Sequence, residues 1–151
     1  MISYHKGDLL ESGCDVICHQ VNLDGVMGGG IAYQIAQKYP EVERDYTLEC
    51  KDNNYSAETL GGTVCFSEIY GSKNKYVANC FSQRRDFTTD YEWLKSCVFW
   101  IQEFIGKGKC KVGIPKNYGC GIAKGDWGVV EKIWVDAFKD NQNIELQIWE
   151  L

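Results

Sequence analysis

Three observations predict an α/β chain, a three-layer α/β/α sandwich around a mixed sheet of about six strands. Strand and helix patterns alternate from end to end, and the helical stretches carry apolar stripes at 3.6-residue spacing. No linker, repeat or low-complexity segment interrupts the alternation, so residues 1–151 are read as a single domain. A chain of 151 residues is long enough to bury a substantial core without disulfides or a structural metal.

Short apolar or alternating runs at Ile2–His5, Val16–Val21, Gly62–Phe66, Tyr76–Phe81, Val112–Ile114 and Ile144–Trp149 are the six expected strands. The first helix is expected to begin near Gly29, because Ile31, Ala32, Ile35, Ala36 and Tyr39 share one face. Pro40 then stops it or opens a second helix running from Glu41 to about Cys50. Thr89 or Asp90 caps a longer helix with Leu94, Cys97, Val98, Ile101, Phe104 and Ile105 inward, and Gly106 ends it. Asp126 is a plausible cap for the last helix, whose buried stripe is Val129, Val130, Ile133, Trp134, Ala137 and Phe138.

Composition is that of an ordinary soluble protein, 44% hydrophobic and 25% charged. A net charge of −5 argues against general binding to nucleic acid or to a membrane surface, both of which need a basic field. No apolar signal-peptide core opens the chain and no run is long enough to span a membrane. The eight cysteines (14, 18, 50, 65, 80, 97, 110 and 120) fall mostly in apolar runs, where a free thiol behaves as a small hydrophobe. A reduced, cytoplasmic protein is therefore expected.

Chemistry concentrates in two glycine loops. His19 to Gln34, HQVNLDGVMGGGIAYQ, runs from an apolar strand through Gly28, Gly29 and Gly30 into an amphipathic helix. Glycines let backbone N–H groups approach an anion, and the helix N-terminus adds unsatisfied donors and partial positive charge. A second loop, NYGCGIAKGDW from Asn117 to Trp127, stands in the same context, so the pair can hold a diphosphate from both sides. The second loop reads G-x-G-x-x-K, which is not a dinucleotide-binding fingerprint, and Gly106–Lys109 lacks the spacing and Ser/Thr of a P-loop. Cys14, Cys18 and His19 make no metal site, because Cys18 and His19 point to opposite faces of a strand and no paired motif supports them. Cys120 among loop N–H donors is a weak nucleophile candidate, with His19 across the cleft. His19, Gln20 and Asn22 interrupt the strand as it reaches the loop, which favours contact with ligand hydroxyls.

KGDLL at Lys6–Leu10, HQVN…MGGGIA, ANCF at Ala78–Phe81, IPKNYGCGIAKGDW and the closing IWEL together resemble the macrodomain family, the ADP-ribose-binding fold, in order over essentially the whole chain. Within it the chain resembles the short subgroup of terminal ADP-ribose protein glycohydrolases and small ADP-ribose-1″-phosphate phosphatases, with Gly28–Tyr46 most like the phosphatases. The resemblance implies that Asp8 accepts from the adenine amino group with Leu9 beside it, although Asp8 also suits a turn or helix cap. It implies that Asn22 faces the distal ribose, that Gly28, Gly29, Gly30 and Ile31 form the first phosphate loop, and that Gly119, Cys120, Gly121, Ile122 and Ala123 form the second. Trp149 and Leu151 fall where the subgroup packs its adenine ring.

Two departures bear on mechanism. Where the glycohydrolases carry a lysine after the strand ending at Phe81, this chain has Ser82 and Gln83, and their loop aspartate falls at Ala123. The resemblance then implies a phosphatase-like set with His19 in acid/base work beside Asn22 and Gln83, the imidazole being apt because it titrates near neutrality. The expected partner is ADP-ribose or an ADP-ribosylated protein or nucleic acid, with no cofactor and no metal. A reader module without turnover is the rival expectation, and a scaffold whose glycine loops only make turns is a third.

Overall fold

Val16–Gln20 is apolar on both faces as far as His19, and such a run belongs in the middle of a sheet covered on both sides. The computed structural model, which describes residues 1–151, places it there. Six strands, β1 (Ile2–Lys6), β2 (Val16–Gln20), β3 (Val64–Glu68), β4 (Tyr76–Cys80), β5 (Cys110–Pro115) and β6 (Ile144–Glu150), form one sheet in the order β1-β6-β5-β2-β4-β3. Every neighbouring pair is parallel except β3–β4, so the sheet is mixed, with its antiparallel strand at one edge.

Helices α1 (Gly30–Lys38), α2 (Pro40–Asp52) and the four-residue α3 (Ala57–Leu60) cover one face, and α4 (Tyr91–Ile105) and α5 (Trp127–Phe138) cover the other. The two resulting cores share no buried residue. Ile17, Val21, Val77 and Phe81 pack against Ile35, Val42, Tyr46 and Leu60, while Val16, Cys18, Ala78 and Val112 pack against Leu94, Ile101, Val130 and Trp134. The three-layer sandwich is thus present, with both faces of the sheet buried.

Element ends follow their caps. Asp90 and Asp126 each accept backbone N–H bonds from the first turn of α4 and α5, and Gly106 closes α4 at φ +66°. Pro40 opens α2 at a first-turn position, where its missing N–H costs nothing. The third strand begins two residues later than expected, because Gly62 sits at φ +80° with its N–H on the Phe81 carbonyl. Two inward assignments shift: Phe104 is 42% exposed and stacks on Phe66 at 4.0 Å, and Val129 is 41% exposed. Both lie at the rim of their stripe, next to the residues that carry the burial.

A 3-10 turn at Leu9–Glu11 and α3 have no counterpart among the expected elements, being too short to show a period. The 3-10 turn matters for position. A Cβ on Gly113 would stand 2.7 Å from Leu9 Cδ1, so the bare glycine in β5 lets the chain after β1 cross closely over the sheet.

Candidate functional site

In an open parallel sheet, ligands collect at the carboxyl ends of the strands near a change in winding direction. Here β2 and β5 are hydrogen-bonded neighbours, and the two glycine loops leave from their carboxyl ends. The sequence separates these loops by about a hundred residues, yet the sheet places them side by side. Gln20, the last residue of β2, marks the junction: a Cβ on Gly119 would meet its amide nitrogen at 3.0 Å.

The first loop leaves α1 open to an anion. Gly29 occupies the N-cap without a side-chain hydrogen bond, no acidic residue lies in the first turn, and Gly28, Gly29 and Gly30 are exposed. Helices α4 and α5 are instead sealed by Asp90 and Asp126. The unsatisfied donors and positive dipole end of α1 therefore remain available. Gly30 requires its identity, with φ at +56°, whereas Gly29 is extended at φ −153°.

The second loop presents a matching set. Cys120, Lys124 and Gly125 use their N–H groups inside the loop, while those of Gly121, Ile122 and Ala123 donate to no protein acceptor. Ile122 is 83% exposed at the tip and Ala123 is buried. A polar network fixes the loop from beneath. Gln20 donates to Ser82 Oγ at 3.1 Å and to Thr89 Oγ1 at 3.0 Å, Thr89 donates to the Gly119 carbonyl at 2.7 Å, and Ser82 pairs with the Tyr118 hydroxyl at 2.6 Å. Gly119→Ala is expected to lower stability by about 1–2 kcal/mol in urea unfolding, since its φ of +67° is left-handed and the new methyl would strike Thr89. An unchanged midpoint would remove that constraint.

Family membership rests on extent as well as on these loops. The Macro domain family model matches residues 18–134, from β2 into α5. The chain belongs to the Macro domain family.

Relatives of this macrodomain include a DNA ADP-ribosyl glycohydrolase of Mycobacterium tuberculosis, 45% identical over 158 residues, covering 99% of this chain and 42% of the relative. An ADP-ribose 1″-phosphate phosphatase of Saccharomyces cerevisiae (strain YJM789) is 42% identical over 65 residues, which is 42% of this chain and 36% of the relative. The chain spans 42% of the length of the glycohydrolase, and its match to the phosphatase is confined to 36% of that protein. The macrodomain of Mycobacterium tuberculosis DarG superposes with a TM-score of 0.83 over 99% of this chain and 97% of that one. That superposition pairs 26% identical residues, fewer than the sequence alignment, so what it carries is the shared architecture.

The remaining candidate residues of the macrodomain fall into three situations. Asp8 is exposed at the end of β1 with Oδ1 accepting from Leu10 N–H at 2.9 Å, so it caps the 3-10 turn, and its Oδ2 makes no bond within the protein. Leu9 is buried beneath it. Trp149 is half-buried and stacks on His5 at 4.8 Å, its indole N–H donating to Gln147, whereas Leu151 is 93% exposed beyond the last strand. Asn22 and Gln83 have their amides engaged. Asn22 donates to the Val26 carbonyl and accepts from Asp24 N–H and the Tyr46 hydroxyl at 2.6 Å, which shapes the first loop, and Gln83 donates to the Phe87 carbonyl at 3.0 Å.

His19 and Cys120 depart from expectation. His19 is fully buried on the α1–α2 face, opposite to Gln20, with Nε2 2.6 Å from Asn79 Oδ1 and Nδ1 unpartnered. Asn79 spends its N–H groups on the Cys65 carbonyl and Ser67, so its oxygen must accept and His19 carries the proton on Nε2. Burial pushes the imidazole down to about 4, so near neutrality the ring is neutral with its one proton committed to Asn79, and the side chain is sealed from solvent. This placement speaks against acid/base work at His19. Burial likewise raises the Cys120 thiol, with Asp126 adding to the effect, the reverse of what a nucleophilic thiolate needs.

A hollow of about 810 Å³ lies elsewhere, between α4 and α5. Its lysines pair with neighbouring acids, Lys95 with Glu92 at 3.1 Å and Lys132 with Asp136 at 2.7 Å, and the helix end that borders it is capped by Asp126, so it presents no open backbone donors like those of the loops. Sequence reading missed Ser82, Thr89 and Tyr118 as supports of the second loop. Ser82 alone had a signal, as the residue standing near the missing lysine.

Proposed function

We propose that this macrodomain binds ADP-ribose across the carboxyl ends of β1, β6, β5 and β2 and hydrolyses an ADP-ribosyl linkage or an ADP-ribose 1″-phosphate. The observation that carries the reading is the pairing of two loops with free backbone N–H groups on adjacent strands, one of them an uncapped helix N-terminus. The diphosphate lies between the loops, the adenine extends toward Asp8, Leu9 and Trp149, and the distal ribose faces Asn22 and Gln83. Net charge of −5 leaves backbone dipoles, rather than a basic field, to hold the phosphates. The printed names of the glycohydrolase and phosphatase relatives support hydrolysis.

With His19 buried, the reaction rests on positioning and on charge stabilisation by the loops. A second reading, binding without turnover, is favoured by the commitment of the Asn22 and Gln83 donors to backbone carbonyls. Titration calorimetry with ADP-ribose is expected to give one site per chain. No heat at millimolar ligand would end both readings, and release of ADP-ribose from ADP-ribosylated DNA or protein, or of phosphate from the 1″-phosphate, separates them. We also place the protein in a reducing, cytoplasmic compartment, a reading supported by eight free cysteines, six of them buried.

A further inference from the structure

The turn between β4 and α4 joins both glycine loops and carries strain that the ADP-ribose reading leaves unexplained. Gln83 and Thr89 pair as an isolated antiparallel bridge, and Arg84 N–H bonds the Thr88 carbonyl at 2.7 Å. At its tip Phe87 stands at φ +71°, a conformation that bulky side chains avoid, and its ring is 47% exposed. Its backbone is held from both sides: Phe87 N–H donates to the Arg84 carbonyl at 2.8 Å, and its own carbonyl accepts from the Gln83 amide at 3.0 Å. A strained residue that exposes an aromatic ring points to a role outside the core.

The turn is fixed where the ligand's distal end emerges. Thr89 binds the second loop at the Gly119 and Ala123 carbonyls, and Arg85 reaches Asp24 in the first loop at 3.6 Å and the Tyr55 carbonyl. The Arg84 and Arg85 side chains remain 57% and 54% exposed. Of the acids facing them, Asp90 and Asp86 also accept backbone N–H bonds, from Trp93 and Thr88, while Asp24 lies 3.6 Å from Arg85.

Resting on the ADP-ribose reading above, we propose that Phe87 determines specificity: its ring stacks on the nucleobase beside an ADP-ribosylated nucleotide of a single strand, with Arg85 on the flanking phosphate. An exposed ring two residues from an exposed guanidinium in one turn suits a base and its phosphate, and bases are free to stack only when unpaired. A nucleotide holds base and phosphate together on one sugar, whereas a peptide brings an aromatic and an acidic side chain together only in particular sequences. With the overall charge at −5 the contact stays local to the nucleotide next to the attachment point.

The test measures Kd before turnover for three ligands, an ADP-ribosylated single-stranded oligonucleotide, an ADP-ribosylated peptide and free ADP-ribose. Phe87→Ala is expected to weaken the oligonucleotide about ten-fold and leave the other two unchanged, Phe87→Tyr to restore it, and Arg85→Gln to lower the salt slope of oligonucleotide binding by about one ion. Equal loss on oligonucleotide and peptide, or no loss on the oligonucleotide, overturns the proposal. Tight free ADP-ribose with no Phe87 effect refutes this inference alone, whereas no ADP-ribose binding by the wild type refutes the reading beneath it.

Discussion

Gly29→Glu is expected to abolish ADP-ribose binding while leaving the fold intact. Nothing lies within 4 Å of the position a Cβ would take at Gly29, and its φ of −153° is open to any residue. The new carboxylate would sit at the N-terminus of α1 and occupy the place of the ligand's phosphate. At a separation near 4 Å and an intermediate dielectric, like charges repel by about 4 kcal/mol, roughly a thousand-fold in affinity. The same charge favours the helix dipole by about 0.3–1 kcal/mol, so thermal stability should hold or rise slightly as binding disappears. Gly29→Gln separates bulk from charge. Calorimetry and thermal melts on both variants check this, and wild-type affinity in Gly29→Glu would take the first loop out of the site.

His19 should titrate near 4 in the folded protein, and stability should fall as pH drops below its unfolded value. The sign follows from linkage: with the folded value depressed below about 6.5, the unfolded chain takes up the proton first, so the contribution is full above that pH and fades down toward pH 4. By pH 4.5 the loss is roughly 2–3 kcal/mol. Urea midpoints at pH 7.5 and 4.5 would show a steeper decline in wild type than in His19→Gln, which also cancels the carboxylate contributions common to both. A ring-nitrogen NMR titration reads the imidazole directly. If the enzyme turns over, His19→Gln should retain activity within about three-fold of wild type, given a group that makes no contact with ligand. A titration near 6.5 with collapsed activity would return His19 to the reaction.

Much of the architecture was legible because periodicity reports burial. The all-apolar β2, the stripes of α4 and α5, and the caps at Asp90 and Asp126 each follow from side-chain pattern or from local hydrogen bonding. The 3-10 turn at Leu9–Glu11 and α3 were illegible, since three or four residues cannot establish a period. Within the site, the glycine run announced donors because glycine acts through its own backbone. Asp8 kept both its readings, since one oxygen caps the turn and the other is free.

Side-chain roles at His19, Asn22 and Cys120 depended on partners distant in sequence. Strand alternation alone turned His19 away from Gln20, but only Asn79 and the helices over that face made it a buried neutral ring. The Tyr46 hydroxyl, twenty-four residues on, claimed Asn22. Sequence by itself determined that this is a six-stranded α/β chain with two anion-ready glycine loops. Tertiary structure decided that the loops adjoin, through the pairing of β2 with β5, and that the histidine between strand and loop is sealed from them, because burial depends on what the rest of the chain packs above a residue.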